Sequence, residues 1–140
     1  MSHNRNPRTF TRFMFLSNGV LKYFPLEGLE NNTGWLILQC DLDLSLYYCW
    51  FIQRRFGIKL QRPLHGSHIT GVRGEVIKSF DKWNAYQGNI IQFHYSNIIG
   101  TNGKHWWLDV YSPCLISIRQ ELGLEPQPEY DLHLTIGVLI

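Results

Sequence analysis

The 140-residue sequence has no run of ~18 apolar residues, the length that crosses a bilayer, so a membrane-spanning helix is not expected. Its first residues, Ser2-His3-Asn4-Arg5-Asn6-Pro7-Arg8, are polar and basic, and no apolar stretch follows that would suit the middle of a secretory signal. Cysteine is scarce: Cys40, Cys49 and Cys114 are an odd, scattered set without a Cys-x-x-Cys pair. That argues against a disulfide framework or a zinc-binding cysteine cluster and predicts buried thiols in a reducing compartment. An excess of charge of one sign is also missing. With 13 Lys and Arg against 11 Asp and Glu, the net charge of +2 is too small to organise the protein electrostatically. What remains is the expectation of a soluble, cytoplasmic protein forming one domain over residues 1–140. Its 44% hydrophobic and 17% charged content is that of a globular chain.

Aromatic residues, by contrast, are plentiful: five Trp, seven Tyr and eight Phe. Most are expected in the core, with room for one or two to stack on a base, an interaction that contributes about 1–3 kcal/mol per base. Ser17-Asn18-Gly19, between Phe13-Met14-Phe15-Leu16 and Val20-Leu21-Lys22-Tyr23-Phe24, predicts a hairpin inside an N-terminal extension spanning 1–34. The body, 35–138, opens with a buried strand at Trp35–Cys40. Asp43 then caps a helix ending near Phe56, with Gly57 as its stop. Leu44, Tyr47, Tyr48, Phe51 and Ile52 fall on one face of that helix. A short helix is expected over 79–86 and strands over Ile90–Tyr95 and His105–Tyr111. Ser112-Pro113 opens a last helix with Leu115, Ile118 and Leu122 inward and Gly123 as its end.

Two segments echo one another. His68-Ile69-Thr70 and His133-Leu134-Thr135 each read as a strand, each preceded by a strand, a helix and a proline-containing loop. Side chains two apart on a strand share a face, so each histidine projects with its threonine while Ile69 and Leu134 point into a core. One His-x-Thr triplet carries little information. Two, at the same point of a repeated strand–helix–loop–strand order, predict a duplication that sets the motifs across a cleft.

The paired motifs resemble those of the two-histidine (2H) phosphoesterases, the superfamily of the bacterial 2′–5′ RNA ligase and cyclic nucleotide phosphodiesterases, whose hallmark is two His-x-Ser/Thr motifs. The resemblance covers Trp35 to Val138. It implies an α+β fold of two pseudo-symmetric lobes, with antiparallel sheets lining a central groove and flanking helices. It implies metal-independent cleavage of a phosphodiester at an RNA end, a 2′,3′-cyclic phosphate, or a 2′–5′ linked or cyclic nucleotide. Small viral members of the superfamily degrade cyclic nucleotide immune signals, acting in the host cytoplasm.

The chemistry agrees with the residue types. Cleavage requires a proton removed from the attacking oxygen and one given to the leaving oxygen, and His68 and His133 can supply both near neutral pH. Thr70 and Thr135 would donate hydrogen bonds to the non-bridging oxygens. Arg73, three residues after Thr70, suits a phosphate clamp, the alternatives being a solvated arginine or a partner for Glu75; Val138 holds the matching place in the second motif. Trp107 and Tyr111 are candidate base-stacking residues, as are Trp106 and Tyr95, with core packing the competing reading. His94 and His105 read as structural or surface histidines, and Tyr47 and Tyr48 as part of the apolar helix face. His65, three residues before His68, falls on the opposite face of a strand, so no metal site and no cofactor is expected. The expected partner is a nucleotide or RNA substrate, with no membrane. A non-catalytic nucleotide- or RNA-binding module that keeps the groove is the competing function. The oligomeric state is not encoded in any motif.

Overall fold

The computed structural model describes residues 15–28, 32–63 and 66–139. Among these, strands and helices follow in the order β1 (Phe15–Tyr23), β2 (Thr33–Cys40), α1 (Leu42–Phe56), β3 (Leu60–Gln61), β4 (His68–Val76), β5 (Ile90–Thr101), β6 (His105–Tyr111), α2 (Pro113–Glu121) and β7 (His133–Leu139). The fold is α+β and mostly β. All pairings are antiparallel, and six strands close into a barrel in the order β1-β2-β4-β7-β6-β5, with β5 pairing back onto β1. The short β3 adds to the far end of β7 through Leu60 and Gln61. None of the described helices is long and apolar enough to cross a membrane.

Period-2 alternation decides what faces inward. Leu36 and Leu38 of β2, Ile69 of β4, Leu108 of β6 and Leu134 of β7 are fully buried and fill the interior with Leu21 and Phe93. The helices start and stop where their capping residues direct. Asp41, rather than Asp43, caps α1, its carboxylate accepting from the Asp43 N–H at 3.0 Å, and Gly57 ends the helix at φ 68°. Ser112 caps α2 with Pro113 in its first turn, and Leu115, Ile118 and Leu122 are buried as their spacing requires.

Several expectations give way to tertiary structure. The Asn-Gly pair makes no hairpin. Ser17, Asn18 and Gly19 run through the middle of β1, laddered to β5 on one side, with Gly19 also opposite Cys40 of β2. Backbone partners on both flanks outweigh the local turn preference. Gly19 instead serves close packing, because a Cβ there would lie 2.6 Å from Leu38 Cγ. Residues 15–23 are therefore a barrel strand rather than part of an extension; Phe13, Met14 and residues 1–9 lie outside the described residues. The helix expected over 79–86 is a single 3-10 turn, Phe80–Lys82, followed by turns up to Gly88. β5 runs on past Tyr95 to Thr101, with an irregularity between Tyr95 and Ile99. On α1, Tyr48 is buried but Tyr47 is 53% exposed. Of the three free thiols, Cys40 is buried, Cys49 half-buried and Cys114 exposed, so buried thiols are found only in part.

Candidate functional site

Each motif histidine is the first residue of its strand, His68 of β4 and His133 of β7. Their surroundings match rung by rung. In β2–β4, His68 is opposite Gln39, Ile69 opposite Leu38 and Thr70 opposite Ile37. In β6–β7, His133 is opposite Asp109, Leu134 opposite Leu108 and Thr135 opposite Trp107. The residue before each histidine uses its carbonyl in the same way: Ser67 O accepts from Cys40 N at 2.8 Å, and Leu132 O from Val110 N at 3.0 Å. Each imidazole bonds through Nδ1 to the carbonyl two residues back, Gly66 O at 3.1 Å and Asp131 O at 2.8 Å. A carbonyl can only accept, so Nδ1 is the donor in both of these bonds.

The two motifs meet where β4 pairs with β7, at Ile69 opposite Leu134. Antiparallel geometry outward from that pair sets Thr135 beside His68 and Thr70 beside His133, all four on the face away from the core. The histidines are then diagonal neighbours across the two strands. One cavity of about 400 Å³ is lined by His68, Thr70, His133 and Thr135 together with Arg73 and His105.

Just past each threonine the ladder slips by one residue. Gly71 is the extra residue in β4, and Ile136 in β7. The two freed carbonyls are taken by helix side chains: Arg119 of α2 donates to Gly71 O at 2.9 Å, and the Cys49 thiol of α1 to Ile136 O at 3.4 Å. Bulges bend a strand and re-aim its side chains, so these two helix contacts hold the curvature beside the motifs. Arg119, only 1% exposed, also donates to both oxygens of Glu75, at 2.7 and 2.8 Å, and to Glu125 O at 2.8 Å. Burial pushes the Glu75 carboxyl up, but hydrogen bonds from Arg119 and the Arg73 N–H, with the arginine charges, bring it net below the usual carboxylate range.

Arg119 thus takes the Glu75 carboxylate that the sequence offered to Arg73. Arg73 contributes its backbone N–H to Glu75, at 3.2 Å, while its exposed side chain lines the groove beside His68 and Thr70. It lies within β4, opposite Trp35. Trp107 lines the β7 side of the groove, its ring 6.3 Å from that of His133. Tyr111 shares the Trp107 face of β6 but neighbours His94, ring to ring at 6.1 Å. Trp106 turns the other way, toward Phe56 at 6.3 Å, and Tyr95 stacks on Phe15 at 5.5 Å. His65 lies outside the described residues. Among the described residues no group of three or more His, Cys, Asp or Glu side chains is placed to hold a metal ion.

The groove also contains residues that the sequence did not single out. His105, read as structural or surface, lines the cavity of both motif histidines. Trp35 and Phe24 line an adjoining cavity on the β4 side, and Asp109 and Asp131 line one on the β7 side. Trp35, His105 and Asp109 are brought there by pairing to the motif strands, which requires the register to be known, Phe24 by its bond to Trp35, and Asp131 by preceding β7. Compared with known proteins, the chain matches no family model, no curated protein and no solved structure.

Proposed function

We propose that the protein is a metal-independent phosphodiesterase in which His68 and His133 act as the acid–base pair on one phosphate. The observation that carries this reading is the matched placement of the two motifs: same strand position, same Nδ1 acceptor two residues back, same bulge after the threonine. Ordinary strand histidines have no reason to share all three. The same correspondence, β1-β2-α1-β4 against β5-β6-α2-β7, supports a duplication into two pseudo-symmetric halves with the groove on their joint face.

In the proposed reaction one neutral imidazole takes a proton through Nε2 from the attacking hydroxyl, a water or the substrate's own 2′-OH. The other, as imidazolium, gives its Nε2 proton to the leaving oxygen. Thr70 and Thr135 donate to the non-bridging oxygens as charge develops there, and Arg73 balances the phosphate charge from the β4 side. The test is a panel of 2′,3′-cyclic mononucleotides, 2′–5′ and 3′–5′ oligonucleotides and cyclic oligonucleotides, with product ends identified. His68→Ala and His133→Ala are each expected to lower kcat/KM about 10²–10⁴-fold with the fold retained. Turnover that survives in the double variant, or that disappears with chelator, would overturn the reading. Binding of the same nucleotides without any turnover would select the binding-module alternative.

A further inference from the structure

The groove does not stop at the four motif residues. On the β4 side a cavity of about 600 Å³ shares His68, Thr70 and Arg73 with the central one and is walled by Phe24, Pro25, Trp35 and Ile37, with Glu27 as its carboxylate. On the β7 side a cavity of about 400 Å³ shares His133 and Thr135 with the centre and is lined by Trp107, Asp109 and Asp131. The place between the histidines is therefore flanked on both sides, and the flanks differ in chemistry.

The β4 flank is mostly apolar, with Glu27 and Arg73 among its walls, and is held in place. Trp35 is 41% exposed, and the Trp35 ring lies over Gly74, where a Cβ would come within 3.2–3.3 Å of the indole. Gly74 has φ 62°, a conformation that other residues rarely adopt, and the tight contact adds to the preference for glycine. Phe24 is tied at both backbone ends, its N–H to Trp35 O at 3.0 Å and its carbonyl to Trp83 Nε1 at 2.9 Å. An indole backed on one side and open on the other is a stacking platform. The β7 flank instead presents two carboxylates beside an indole. Its carboxylate oxygens would accept hydrogen bonds from ribose hydroxyls or from an exocyclic amino group.

We propose that the groove takes a phosphodiester carrying a nucleoside on each side, with one base stacked on Trp35 and the other nucleoside donating to Asp109 and Asp131. This rests on the phosphodiesterase reading of His68 and His133. It goes beyond that reading in making a mononucleoside ester or cyclic phosphate, which fills one flank, the poorer substrate.

The experiment compares dinucleoside monophosphates, 2′–5′ and 3′–5′ linked, with the two methyl esters made by replacing one nucleoside or the other, the reference being the ester that lacks the stacked base. The wild-type protein is expected to prefer the better dinucleotide by about 5- to 150-fold in kcat/KM, the yield of one stacked base. Trp35→Leu should erase that preference and Trp35→Phe restore most of it. Equal rates on dinucleotide and methyl ester, or a preference that survives Trp35→Leu, would overturn the proposal. A second arm needs no turnover. The His68→Ala/His133→Ala variant is titrated with the same ligands by calorimetry, and the dinucleotide should bind at least 5-fold tighter than the methyl ester, with Trp35→Leu added to that variant removing the difference. Tight dinucleotide binding without cleavage in the parent protein would sink the catalytic reading and keep this one. Cleavage with equal binding would do the reverse.

Discussion

Arg119→Met is the most informative substitution outside the groove, because it removes four hydrogen bonds while nearly conserving volume. The guanidinium is buried and serves Glu75 twice, Gly71 O and Glu125 O. Gly71 O lies in the buried bulge of β4, and leaving such an acceptor unpaired costs about 1–3 kcal/mol. Glu125 is an exposed loop residue and can rehydrate. The Glu75 side chain is 30% exposed, so water replaces part of what Arg119 gave it. The expected loss is about 3 kcal/mol, the lower end of the range for breaking a buried ion pair. Urea unfolding followed by near-ultraviolet signals would measure it. The acid dependence gives a second readout. The Glu75 carboxyl is held below its usual range in the folded protein, so its contribution is complete above the unfolded carboxylate pKa of about 4.3 and is lost as pH falls through the lower folded value. Arg119→Met should flatten stability across that acid window, and Glu75→Gln, which leaves the buried guanidinium without its counter-charge, should flatten it as well. A loss under about 1 kcal/mol together with an unchanged acid profile would refute the role given to this pair.

Thr70→Val and Thr135→Val are each expected to lower kcat/KM about 10²-fold on the best diester found, with KM changing less than kcat; an effect confined to one of them would break the proposed equivalence of the halves. Gly100→Ala would drive a methyl group into the Trp107 indole, which the Gly100–Trp107 pair brings against the backbone, so a stability loss of about 1–3 kcal/mol and an altered tryptophan emission are expected. Thiol titration of the native protein should show Cys114 reacting first, on account of its exposure and although partial burial and Glu121 push its thiol up, and Cys114→Ser should abolish that group, while Cys40, whose pKa burial pushes up to about 12, reacts only on unfolding.

Those elements whose signals are local were legible in the sequence. Gly57 and Ser112-Pro113 bound their helices as capping chemistry requires, and the His-x-Thr alternation put Ile69 and Leu134 at the centre of the core. What the sequence could not show were contacts set by register. Asn18-Gly19 has the composition of a turn, yet two neighbouring strands claim its backbone. Glu75 was open to Arg73 two residues away, but Arg119, 44 residues on, reaches it across the α2–β4 packing. The groove walls were hidden for the same reason. Trp35 and His105 become neighbours of the motifs only once β2–β4 and β6–β7 are paired, and an indole on a strand looks the same in sequence whether it fills a core or lines a cleft.

The crossed bulge contacts bear on how the protein folds. α1 bonds to the bulge of β7 and α2 to the bulge of β4, and β1 reaches β5 across about 75 residues of chain. Pairings of such separation close late, because the loop entropy is lost before the contacts form. Ring closure between β4 and β7 is also the event that brings His68 and His133 together. A truncated chain bearing a single motif would keep open sheet edges and an unpaired bulge carbonyl, and two such fragments would regain the site only by assembling with one another. Closure of the sheet and the meeting of the two motifs are therefore the same event.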